Sequence, residues 1–140
     1  MSGILIYSEK EAKRNIFAIN KFKENLDIKL VDENYDGKAD FVINRTNNYI
    51  IAQKFEQKGI RVFNPSSLSM LANNKQLCYE FMYKNGIEIL PINYSEIPAV
   101  KKPIDGHGGQ NVTMINKKEE FEPGFVYQKP CATLGKDLRV

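Results

Sequence analysis

Gly3-Ile4-Leu5-Ile6-Tyr7-Ser8-Glu9-Lys10-Glu11 opens the chain with a short apolar run that passes at once into a polar turn. Residues 3–7 read as a buried strand. Ser8 is placed to cap a helix, and Glu11 three residues later completes a capping box. Ile16, Phe17, Ile19, Phe22 and Leu26 then recur at helical spacing. Working outward, the N-terminal half repeats this alternation. A strand is predicted at 28–31, a loop at 32–37, a strand at 40–44, a helix at 47–58 ended by Gly59, and a short strand at 61–63 closed by Asn64-Pro65. A β-α-β-β-α-β order predicts an open, mainly parallel sheet with helices on its faces.

The pattern changes after Pro65. A short helix is predicted at 66–71, and a longer one at 73–85 whose apolar stripe is Leu77, Phe81 and Met82 and whose stop is Gly86. Short strands follow at 90–93, 99–102, 111–115 and 125–129, separated by loops rich in Gly, Pro and charge. Strands at such spacing predict an antiparallel sheet. Two domains are therefore expected, 1–68 and 69–140. Asp137-Leu138-Arg139-Val140 alternates as a strand does and then stops, so a chain cut from a longer one is expected.

Composition excludes several classes. The 140 residues are 42% hydrophobic and 26% charged, a globular balance. No apolar run approaches the roughly 20 residues of a membrane span, and the acidic residues after Tyr7 argue against a signal peptide. Cys78 and Cys131 are too few for a disulfide scaffold, and the single His107 leaves little for a zinc site. A cytoplasmic setting is expected. A net charge of +3, dispersed over 20 basic and 17 acidic residues, does not imply nucleic acid.

The stretch richest in chemistry is Val100-Lys101-Lys102-Pro103-Ile104-Asp105-Gly106-His107-Gly108-Gly109-Gln110-Asn111-Val112. A strand delivers two lysines into a glycine-rich loop, where freed N–H groups and a nearby ammonium suit an anion. The same composition also serves a plain tight hairpin. It is neither a Walker loop, lacking a following Gly-Lys-Ser/Thr, nor a dinucleotide fingerprint, lacking a following helix. Lys75, near the start of the 73–85 helix, reads either as solvated surface or as a ligand-directed cation. Gln128-Lys129-Pro130-Cys131 reads either as an ordinary strand exit or as an edge able to hold a purine. His107 reads as loop filler.

The order of these pieces carries a resemblance. A lysine helix follows an Asn-Pro turn, and Asn85-Gly86-Ile87-Glu88-Ile89-Leu90-Pro91 comes next. A strand then ends in Lys102-Pro103 before the glycine loop, a strand ends in Gln128, and Gly135-Lys136-Asp137-Leu138-Arg139-Val140 closes the chain. Over about 39–140 this resembles the first half of the ATP-grasp superfamily, in its RimK-like and glutathione-synthetase-like branch. The resemblance implies an α/β pre-ATP-grasp domain with a Rossmann-like parallel sheet, followed by the first, α+β antiparallel ATP-grasp subdomain. It implies ATP as ligand, with Lys75 and Lys102 as phosphate-binding lysines and Gly106, Gly108 and Gly109 as the loop over the β- and γ-phosphates. Gln128, Lys129 and Cys131 resemble the adenine hinge, and Asp137 the ribose contact. Arg139 resembles the basic residue near the phosphates or the acyl substrate, the one catalytic position implied.

Three departures are visible. Gln128 stands where the family more often has Glu, and Asn74 precedes Lys75 where Asp is common. The family's magnesium ligands, an acidic residue and a Glu-x-Asn pair, are expected downstream of Val140. The implied activity is ATP-dependent carboxylate–amine ligation of an amino acid or peptide through an acylphosphate, and the 140 residues alone are expected not to turn over. The alternative is a non-catalytic nucleotide-binding or protein-interaction module. An NAD enzyme is disfavoured because no glycine fingerprint follows the first strand, and a single-strand nucleic-acid binder because the aromatics sit at buried periodicity. An apolar surface left uncovered predicts self-association as a homo-oligomer.

Overall fold

The structure, a computed structural model, describes residues 1–132. Two compact units divide at Met70/Leu71.

In the first unit the elements are β1 (Gly3–Ile6), α1 (Glu9–Arg14), α2 (Ile16–Asn25), β2 (Ile28–Val31), β3 (Phe41–Asn44), α3 (Tyr49–Gln57) and β4 (Arg61–Phe63). The four strands form one sheet in the order β2-β1-β3-β4, all parallel. Ser8 caps α1 as its sequence position predicts, its Oγ accepting from the Glu11 N–H at 3.3 Å. The single helix expected from the apolar spacing is instead two, broken at Asn15. That side chain donates to the Glu11 carbonyl at 2.8 Å, and its backbone leaves the helical region at φ −110° and ψ 24°. Asparagine competes in this way with the helix's own ladder. The break also turns Ile16 and Phe17 outward, 57% and 75% exposed, while Ile19 is buried.

Strand alternation then builds two cores, one on each sheet face. Ile4, Ile6, Val42 and Val62 pack with Ile51, Ala52 and Phe55 of α3. Leu5 and Tyr7 pack with Ile19 of α2 on the other face. Because β1 is covered on both faces, all four of its residues are buried, which is why it reads as a continuous apolar run. Asn48 caps α3 by accepting from the Ile50 N–H at 3.0 Å. Gly59, at φ +75°, ends that helical segment in the left-handed region open to glycine.

Helix α4 (Ser66–Ala72) carries the chain out of the first unit. The second unit holds α5 (Lys75–Lys84) and an antiparallel sheet of β5 (Ala99–Pro103), β6 (Thr113–Ile115) and β7 (Phe125–Gln128), in the order β6-β5-β7. Asn74 caps α5, accepting from the Leu77 N–H at 3.0 Å. The strand expected at 90–93 is absent; only an isolated bridge joins Ile92 to Gln128. Pro91 has no N–H to give a ladder, and Asn93 turns into the left-handed region at φ 56°. The segment is still tied down, with Lys129 N–H donating to the Pro91 carbonyl at 2.9 Å and Tyr94 N–H to Tyr127 at 3.1 Å.

The unit's core gathers Ala99, Ile115 and Tyr127, with Tyr94, Phe121 and Phe125 around them. No residue of α5 is buried. Of the expected stripe, Leu77 and Phe81 lie outward, 39% and 49% exposed, and Met82 is half-buried. No helix among the described residues is long and apolar enough to cross a membrane.

Candidate functional site

Two consecutive lysines on β5 meet opposite fates. Alternation sends Lys101 to the core face beside Tyr127, its register partner. There its ammonium pairs with Glu122 at 2.5 Å and lies 4.3 Å from the Phe125 ring centre. The hydrogen bond it donates to the Glu122 carboxylate holds the Lys101 ammonium above the usual lysine range.

Lys102 lies on the other face with Val126 and Gln128. Its ammonium donates to Gln128 Oε1 at 2.7 Å and to the Tyr79 hydroxyl at 3.4 Å, and sits 5.8 Å from the Tyr79 ring centre. Gln128, 6% exposed, uses its other end to donate from Nε2 to the Leu90 carbonyl at 3.1 Å.

Lys75 is the first residue of α5. Its backbone N–H donates to the Ile104 carbonyl at 2.8 Å, and its ammonium donates to the Gly106 carbonyl. One helical turn separates Lys75 from Tyr79, so both lie on one side of α5. That side therefore meets Lys102 through Tyr79 and the glycine loop through Lys75. Both lysines are half-buried. Among the described residues their ammonium partners are neutral oxygens only, and the ion pairs go to other cations.

The loop between β5 and β6 requires its glycines for different reasons. A Cβ at Gly106 would lie 3.0 Å from the Pro103 side chain. Gly108 and Gly109 take φ of +60° and +73°, with open space where a Cβ would stand, so backbone conformation and not crowding selects them. Turn hydrogen bonds engage the N–H groups of Gly106, Gln110 and Val112. Those of His107, Gly108 and Gly109 point to no acceptor among the described residues.

Lys129 and Cys131, at the exit of β7, are exposed. Asp137 and Arg139 lie outside the described residues. The sequence reading brought out Lys75, Lys102, the glycines and Gln128, but missed Tyr79 and the Leu90 carbonyl. Tyr79 had a signal, its i+4 spacing from Lys75; a backbone carbonyl has none. Among the described residues no group of three or more His, Cys, Asp or Glu side chains is placed to hold a metal ion.

No family model matches the chain. It is 24% identical over 142 residues to the uncharacterized protein MG011 of Mycoplasma genitalium, covering 86% of this chain and 49% of that protein. The chain thus spans about half the length of the curated relative it matches.

Among solved structures, the RimK domain ATP-grasp protein of Sphaerobacter thermophilus aligns with TM-score 0.69 at 11% identity, covering 94% of this chain and 64% of that one. D-alanine-D-alanine ligase of Helicobacter pylori aligns with TM-score 0.65 at 14% identity, over 95% of this chain and 67% of that one. The carboxyaminoimidazole ribonucleotide synthase of Aspergillus clavatus, solved with ATP, aligns with TM-score 0.64 at 9% identity, over 92% and 47%. The fold is that of the N-terminal portion of RimK-like ATP-grasp ligases, a parallel α/β unit followed by an antiparallel one.

Proposed function

We propose that this chain is the ATP-binding portion of an ATP-dependent carboxylate–amine ligase. Its substrates would be an amino-acid or peptide carboxylate and an amine. The observation that most supports this is the pair of half-buried lysines met, among the described residues, by neutral oxygens alone. Withdrawing an ammonium from water is costly unless an anion answers it, and a polyphosphate supplies several negative oxygens at once.

In this reading Lys75 and Lys102 receive the phosphates, and the loop at Gly106, Gly108 and Gly109 closes over them with its unengaged N–H groups. The β7 exit, with Gln128, Lys129 and Cys131, borders the adenine. By the resemblance, Asp137 would contact the ribose and Arg139 the phosphates or the acyl substrate. The chemistry would be attack of a carboxylate oxygen on the γ-phosphorus with departure of ADP, then displacement of phosphate by the amine. The chain's contribution is positioning and charge neutralisation. Magnesium finds no ligand cluster among the described residues, so none is assigned to it here.

Calorimetric or NMR titration with ADP tests the site. Lys75→Met and Lys102→Met are each expected to weaken binding on the order of tenfold or more, the cost of a charge-assisted hydrogen bond. Unchanged affinity in both variants would overturn the assignment. A non-catalytic module would share the binding, and any longer protein carrying it would show no amine-dependent phosphate release.

A further inference from the structure

Gln128 is buried, yet each end of its amide is bonded to a group that allows only one orientation. A lysine ammonium only donates, so the end facing Lys102 at 2.7 Å is the carbonyl oxygen. A backbone carbonyl only accepts, so the end facing Leu90 at 3.1 Å is the NH2. The same residue makes the bridge to Ile92, and its neighbour Lys129 bonds Pro91. Residues 90–92 are therefore pinned against β7 at the point where Lys102 is held.

We infer that Gln128 is a positioning residue: its amide fixes the Lys102 ammonium, ties it to the 90–92 segment, and leaves the lysine's charge uncancelled for an incoming anion. A carboxylate of the same shape fails on both counts. One oxygen would neutralise Lys102. The other would face the Leu90 carbonyl, acceptor against acceptor, at a position only 6% exposed. For these two contacts the geometry favours Gln over Glu at 128, and through them Gln128 acts on Lys102. That the anion is a nucleotide rests on the function proposed above; the positioning role does not.

The experiment uses the 140-residue chain with Gln128→Glu and Gln128→Leu. Reductive methylation of each lysine is followed by mass spectrometry, and amide exchange by NMR. In the unmodified chain Lys102 is expected to react more slowly than the exposed lysines, with a slowly exchanging Gln128 side-chain NH2. Gln128→Leu should raise Lys102 reactivity several-fold and speed exchange at the Lys129 amide. Gln128→Glu should lower Lys102 reactivity further while also speeding exchange at Lys129, and should weaken ADP binding about tenfold.

Variants that match the unmodified chain at Lys102 and Lys129 would overturn the inference. If Gln128→Leu does not fold, rapid exchange of the unmodified Gln128 NH2, or a Glu variant with unaltered Lys102 reactivity, still overturns it. A chain that shows the expected reactivities but no response to ADP would remove the nucleotide reading and leave the positioning role standing.

Discussion

Lys101 and Lys102 show how much a single position along a strand decides. Both belong to one dipeptide, and alternation alone sends one to a carboxylate and the other to an amide. The Lys101–Glu122 pair carries a pH signature. Its ammonium is held above the usual lysine value, so the pair's contribution is fully present below the unfolded lysine's pKa and is lost as pH rises through the raised one. Melting curves taken through the alkaline range should show the chain losing stability there, and Glu122→Gln should flatten that loss. An unaltered alkaline slope in the variant would refute the pairing.

Gly3 offers a second test at this scale. Phe41, its partner across the β1–β3 ladder, lays its ring where a Cβ would sit, 2.3 Å from the nearest ring atom. Gly3→Ala must push that ring aside, and overpacking of this kind costs about 1–3 kcal/mol. Urea unfolding of the variant measures it, and a loss near zero would mean that the ring moves freely.

At the scale of elements, caps and turns set the boundaries. Asn48 and Asn74 each satisfy a helix N-terminal donor with a side-chain oxygen, and replacing either by Ala is expected to cost about 1 kcal/mol, read by chemical denaturation. The β5–β6 loop behaves differently. Little apolar anchors residues 105–110, all exposed except Gly106, and the N–H groups of His107, Gly108 and Gly109 lack an acceptor among the described residues. Segments of this kind open at low free energy. Hydrogen exchange at these amides should be fast in the free chain and slow when ADP is added. Slow exchange without ligand would contradict a loop that closes on phosphate.

For the whole molecule, the two units carry unequal cores. The first buries apolar side chains on both faces of its sheet. Among the described residues the second buries the cluster of Ala99, Ile115 and Tyr127, with Val126 besides, and leaves its longest helix without a buried residue. Denaturation is therefore expected in more than one step, with amides of β5–β7 losing protection at lower urea than those of β1 and β3. A single coincident transition by both sets of amides would show that the units fold as one.

What the sequence determined by itself is local. Continuous apolar runs marked β1 and β3, a cap at Ser8 marked the start of α1, Gly59 and Gly86 marked the stops of α3 and α5, and the order of Lys75, Lys102, the glycines and Gln128 marked the candidate site's parts. Each of these signals lies within a few residues, where period and capping act. Only the tertiary structure decided the rest. The break at Asn15 needed the competition between a side chain and the helix ladder to be resolved, and the failure of a strand at 90–93 needed the actual turn at Asn93. The outward face of Leu77 and Phe81 depended on which side of α5 met β5. The partner of each lysine was undecided for the same reason. Spacing fixes that side chains alternate but not which face is covered, and the groups that hold Lys102 and Gln128 come from 26 and 38 residues away in the chain. Contacts at that separation exist only once the sheet has closed and the entropy of bringing distant segments together has been overcome.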